Sequence, residues 1–98
     1  MIAAFSISPT ATDDTGSVSE AVARAVRVVR ESGLPCETNS MFTNVEGEWD
    51  EVMAVLKACV MKVAEAAPRV SVVVKIDHRT GVTDGLHSKV AAVEERLA

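Results

Sequence analysis

An α+β fold is what this sequence predicts, on three observations. Ile2 to Ser8 and Arg69 to Asp77 alternate apolar and other residues with period two, as half-buried strands do. Ser17 to Ser32 and Glu48 to Ala66 instead place their apolar residues at helical spacing. A chain of 98 residues, 48% of them apolar, suits one domain (residues 1–98) with a modest core.

In the first strand, Ala3, Phe5 and Ile7 share one face, and Ala4, Ser6 and Ser8 the other. Pro9 is expected to end it, because proline cannot donate to a ladder. Thr10 to Gly16, rich in Thr, Asp and Gly, reads as a mobile loop, with Thr83 to Gly85 a lesser candidate. Ser17 followed by Glu20 fits a capping box. Val18, Val22, Ala25 and Val29 then form one stripe of the first helix, and Gly33 and Pro35 stop it.

Cys36 to Ser40 and Met41 to Glu46 read as two strands, joined either as a hairpin turning near Asn39-Ser40-Met41 or as one long bent strand; the hairpin is favoured. Gly47 is expected to mark the next corner through its backbone freedom. The second helix, from about Glu48 to Ala66, carries Glu48, Asp50 and Glu51 where its N-terminus favours negative charge. Its buried stripe is Val52, Val55, Leu56, Cys59 and Val63, and Pro68 closes it. In the last strand Val70, Val72, Val74 and Ile76 make the core face. His78 to Gly81 is a turn, and Leu86, Val90, Val93 and Leu97 recur as a third, short helix.

The resulting order, β-α-β-β-α-β plus a terminal helix, is that of a ferredoxin-like βαββαβ sandwich. Both crossover helices then cover one face of a four-stranded antiparallel sheet. The other face would present Ala4, Ser6, Ser8, Val73 and Lys75, a small and mixed set that predicts cover by a second subunit or a ligand.

Composition narrows the functions. A net charge of −4 with 3% aromatics argues against a nucleic-acid binder, which needs a basic patch and stacking rings. No apolar run approaches the roughly 20 residues that span a bilayer. The start Met1-Ile2-Ala3-Ala4-Phe5 lacks a charged leader segment, so a cytoplasmic location is expected, with Cys36 and Cys59 as thiols. His78 and His87 have no zinc-type spacing and read as surface residues, and no metal or cofactor is expected. The scarcity of His and the absence of Tyr weaken the case for a proton-transfer enzyme.

Thr43 and Glu46 are the first candidates for recognition, because they sit where a strand ends beside a helix start. Each also has a purely structural reading, Thr43 as a strand residue and Glu46 as a nearby cap. Trp49 is expected to pack over the strand end, with stacking on an aromatic ligand as the other role.

Several pieces, in order and at compatible spacing, carry a resemblance: Ser6-Ile7-Ser8-Pro9, Glu31-Ser32-Gly33-Leu34, Met41 to Glu48 with its Thr-x-x-Glu-Gly-Glu segment, and Lys75-Ile76-Asp77-His78-Arg79. Across nearly its whole length the chain resembles the thiamine-binding protein family, of YkoF-like ferredoxin folds. The resemblance implies a homo-oligomer, a dimer of dimers, that binds thiamine or its hydroxymethylpyrimidine part without reacting it. It carries over Ser8, Ser17, Asn39, Thr43 and Glu46 as ligand-binding residues, with thiamine as ligand and not cofactor. Phe42 departs from the pattern, since the family usually has a small residue, often Gly, before that Thr; a ring there narrows the pocket or changes its ligand. Two other classes stay open: a small ferredoxin-like enzyme of the isomerase or monooxygenase sort, and a ligand-free assembly module.

Overall fold

The computed structural model describes residues 1–10 and 18–98. The elements are β1 (Ile2–Thr10), α1 (Val18–Glu31), β2 (Cys36–Thr38), β3 (Thr43–Glu46), α2 (Trp49–Ala64), β4 (Arg69–Asp77) and α3 (Gly85–Leu97). Apart from Thr10, which closes β1, the expected loop up to Gly16 lies outside the described residues, as does the Ser17 cap.

The four strands form one sheet in the order β2-β3-β1-β4, each neighbouring pair antiparallel. Strands β2 and β3 are a hairpin, as favoured. Both are shorter than expected, because Asn39 builds a wider turn: its Oδ1 accepts the backbone N–H groups of Met41 and Phe42, each at 2.9 Å, and its own N–H bonds Phe42 O at 2.9 Å.

Pro9 does not end β1, which runs on to Thr10 and pairs with β4 along its whole length. The reason is parity. Met1 and Gly47 exchange both backbone bonds, at 3.0 and 3.1 Å, so the odd residues of β1 aim their polar groups toward β3 and the even ones toward β4. Pro9 is odd, so the N–H it lacks is one that β4 never uses.

Ala3, Phe5, Ile7 and Val45 pack on Ala25 and Val29 of α1 and on Val52, Leu56, Cys59 and Val63 of α2, so both helices lie on one face of the sheet. Val70, Val72 and Val74 join this core from β4, but Ile76, expected with them, is exposed. Cys59 Sγ donates to Ala25 O at 3.4 Å, tying α2 to α1, and burial pushes its thiol pKa up to about 11. Cys36 and Cys59 are both free thiols.

Helix α2 starts one turn-residue later than expected and ends at Ala64, with Glu48 N–H donating to Glu51 Oε1 at 3.0 Å across its first turn. Gly47 has no left-handed backbone; the positive-φ glycines are Gly33 and Gly81. What Gly47 supplies is room, since a Cβ there would meet both Leu34 methyls at 3.3 Å.

The second face is open over most of its area, with Val73 63% exposed. Among the described residues, α3 reaches it from Gly85 to Lys89, at the end formed by Ile2, Glu46 and Asp77. A Cβ on Gly85 would stand 2.7 Å from Ile2 Cδ1, so glycine permits this close approach. Beyond Gly85 and Leu86 the helix is largely solvated, with Val90, Val93 and Leu97 exposed. No helix among the described residues is long and apolar enough to cross a membrane.

Candidate functional site

The β1–β3 ladder ends at the pair Phe5–Thr43, while β1 continues for five more residues against β4 alone. The β2–β3 turn swings away there, and a groove of about 300 Å³ opens between β1, α1 and the turn. Val18, Val22 and Val26 of α1 give it an apolar wall, and Met41 and Phe42 close it from the turn. Thr38, Asn39 and Thr43 bring polar groups to it, and Ser8 borders it with its side chain on the opposite face of β1. No charged side chain of the described residues lines it.

Three of the five expected ligand residues therefore meet at one place. Thr43 is 5% exposed, and its hydroxyl lies 3.3 Å from that of Thr38, each able to donate to the other. Asn39 spends its carbonyl oxygen on the turn, which leaves its amide N–H groups for another partner. Ser8 is exposed on β1. Ser17 lies outside the described residues.

Glu46 is brought elsewhere. Its side chain, 2% exposed, points to the second face, and its carboxylate accepts Gly85 N–H at 2.7 Å and Leu86 N–H at 3.2 Å. It borders a separate recess of about 40 Å³ with Asp77, Arg79, Ser88 and Lys89. A carboxylate at the start of α3 satisfies two of the amides that a helix leaves unpaired, and its charge suits that end. Glu46 and Thr43 both belong to β3, but a strand alternates its faces, so three residues of separation put them on opposite sides.

Other polar groups are accounted for at the surface. Asp77 pairs with Lys89 of α3, and that bond holds its carboxyl below the ordinary range. His87 Nδ1 lies 2.8 Å from Asp84 Oδ1, and this hydrogen bond, with the charge of Asp84, raises the imidazole pKa. His78 lies edge to face with Trp49, ring centres 6.4 Å apart, and Trp49 remains 49% exposed. Among the described residues no three His, Cys, Asp or Glu side chains gather as a metal site would need.

Sequence reasoning missed the α1 wall of the groove and the main chain of β1 beside it. A signal existed: the first strand pattern is long, while the β-branched run Thr43 to Val45 is short, and a short strand beside a long one leaves part of the long one unpaired.

Comparison with known proteins gives a consistent picture. The profile described as "Thiamine-binding protein" matches residues 3–94. A UPF0045 protein of Mycobacterium bovis is 51% identical over 98 residues, covering 99% of this chain and 94% of the relative. The crystal structure of a hypothetical protein from Methanocaldococcus jannaschii superposes with a TM-score of 0.84 at 33% identity, covering 96% of this chain and 95% of the other. A Thermotoga maritima protein, whose name proposes a role in thiamine biosynthesis or salvage, superposes with a TM-score of 0.79 at 26% identity, over 94% of this chain and 96% of the other.

Proposed function

Because the chain belongs to the thiamine-binding protein family, we propose that it binds thiamine or its hydroxymethylpyrimidine moiety non-covalently, without catalysing a reaction. The groove between α1 and the β2–β3 turn carries this reading. Its volume of about 300 Å³ matches the lower end of small-ligand pockets, roughly 300 to 1,000 Å³. Its lining sets apolar walls, Val22, Val26 and Phe42, against hydroxyl and amide groups on Thr38, Asn39 and Thr43. A flat, neutral aminopyrimidine needs both. The cationic thiazolium suits the mouth, since the groove has no carboxylate to pair with it among the described residues. Thr43 and Asn39 then orient the ligand, with Ser8 at the rim. Glu46 acts at a distance, holding α3 on the sheet.

The strand order β4-β1-β3-β2 supports a ferredoxin-like sandwich, with a second copy of the chain laid on the open face. Val73 on the sheet and Val90, Val93 and Leu97 on α3 supply the apolar area for self-association, to a dimer and then a dimer of dimers. Light scattering at micromolar concentration checks this, and a monomer there removes it.

Calorimetry with thiamine and with hydroxymethylpyrimidine tests the ligand. Saturable heat is expected, weakened roughly fivefold or more in Thr43→Val by loss of a hydroxyl hydrogen bond. A folded protein that gives no heat with either compound refutes the proposal.

A further inference from the structure

The main chain of Ile7 is the part of the groove that no side-chain reading reveals. By the parity set at Met1 and Gly47, Ile7 aims its N–H and C=O toward the β3 side of β1. There the ladder has already ended at Phe5–Thr43. No β3 residue is paired with Ile7 on that side, and Ile7 lines the groove together with the turn residues Met41 and Phe42. A backbone donor and acceptor left without a partner cost free energy when water is excluded, so a ligand that satisfies both gains by doing so.

We propose that Ile7 reads its ligand as one strand reads another, its N–H donating to a ring nitrogen and its C=O accepting from the adjacent exocyclic amine of a 4-aminopyrimidine. This rests on the groove being the pyrimidine site. The chemistry required is an acceptor beside a donor on one flat edge, the pattern that the C=O and N–H of an opposing strand residue present to the two-bond pairs of an antiparallel ladder. Apolar side chains on both flanks, Val22 of α1 and Phe42 of the turn, suit a ring lying in that plane.

A peptide strand does not fit the same edge. After Ile7, the next residue of β1 facing the groove is Pro9, which has no N–H. One full donor–acceptor pair is therefore on offer, followed by a carbonyl alone. That is enough for a heterocycle and too little for a ladder.

The test uses the intact, 15N-labelled protein and two small probes, 4-amino-2-methylpyrimidine and 2,4-dimethylpyrimidine, which replaces the amine by a methyl group. The amino compound is expected to shift the Ile7 amide downfield and slow its exchange with solvent roughly tenfold, while Ser6 and Ser8, whose amides face β4, move less. The dimethyl compound is expected to bind at least about fivefold more weakly, the effect of one lost hydrogen bond. Equal affinity for the two probes, or an Ile7 amide that the amino compound leaves unmoved, overturns the proposal. If thiamine gives no binding but the amino probe moves Ile7, the edge reading stands and the thiamine assignment falls. If thiamine binds and Ile7 stays unmoved under both thiamine and the amino probe, the reverse holds.

Discussion

Replacing Glu46 by Ala should release α3 from the sheet before it touches anything else. The carboxylate is buried and accepts two backbone N–H groups at 2.7 and 3.2 Å, and Gly85 and Leu86, which donate them, are the buried residues of α3. Hydrogen bonds to a charged acceptor contribute about 1.5–3 kcal/mol each. The two share one carboxylate, and water reaches both amides once the helix lifts, so a combined loss of about 2–4 kcal/mol is expected. A detached helix of 13 residues is marginal in water, so lifting and unwinding are one event. Native-state hydrogen exchange reads it directly: the α3 amides from Val90 onward should exchange roughly 30-fold faster or more, the factor that 2 kcal/mol represents. Amides of α1 and α2 should change far less, since their core does not include α3. Glu46→Gln should fall between, because its amide keeps one acceptor and turns a donor toward a donor. Exchange in α3 within about twofold of the wild type would show that the carboxylate does not hold the helix, and the account of Glu46 as an anchor would fail.

Three further outcomes follow from the same structure. Cys59, with its thiol pushed up to about 11 and its Sγ bonded to Ala25 O, should resist a thiol reagent at neutral pH in the folded protein and react on unfolding; modification of native Cys59 within minutes would contradict this. His87 should titrate above the ordinary 6.5 by NMR, and fall back in Asp84→Asn. Because the folded-state value is raised, the His87–Asp84 pair stabilises fully below the unfolded value and is lost as pH rises through the folded one. An unchanged midpoint in the variant would remove Asp84 as the cause. Phe42→Gly should widen the groove and admit bulkier 2-substituted pyrimidines that the wild type excludes, as measured by calorimetry; identical selectivity in the two proteins would place the ring outside the ligand's path.

Much of the fold could be read from the residues because burial follows period. Of the α2 stripe, Val52, Leu56, Cys59 and Val63 are buried and Val55 partly so, and Ala3, Phe5 and Ile7 alternate inward along β1. Errors fell where a backbone direction mattered. Pro9 breaks a ladder only if its missing N–H points at a partner, and composition does not say which way it points. Gly47 looked like a conformational glycine and is a steric one, which depends on where Leu34 arrives from another part of the chain. The candidate site divided for the same reason. Thr43 and Glu46 are near in sequence, but strand alternation sends one to the groove and the other to a helix that begins 39 residues after it. Asn39 was legible as a turn residue, and its place at the groove follows from the turn.

An unpaired strand edge is ordinarily a hazard, because it invites another chain to continue the sheet. Five residues of β1 lack a β3 partner here, yet the edge is guarded in three ways. Helix α1 stands along it through Val18, Val22 and Val26, the turn residues Met41 and Phe42 lean across it, and Pro9 withdraws the donor that a second ladder rung would need. On the proposed reading, the features that make the edge safe would also make it selective. Walls on either side exclude a strand with its alternating side chains and leave a slot for something flat. Removing one donor restricts recognition to a single pair of bonds. A long strand beside a short one thus leaves this small sheet an open edge while Ala3, Phe5 and Ile7 all keep their places in the core.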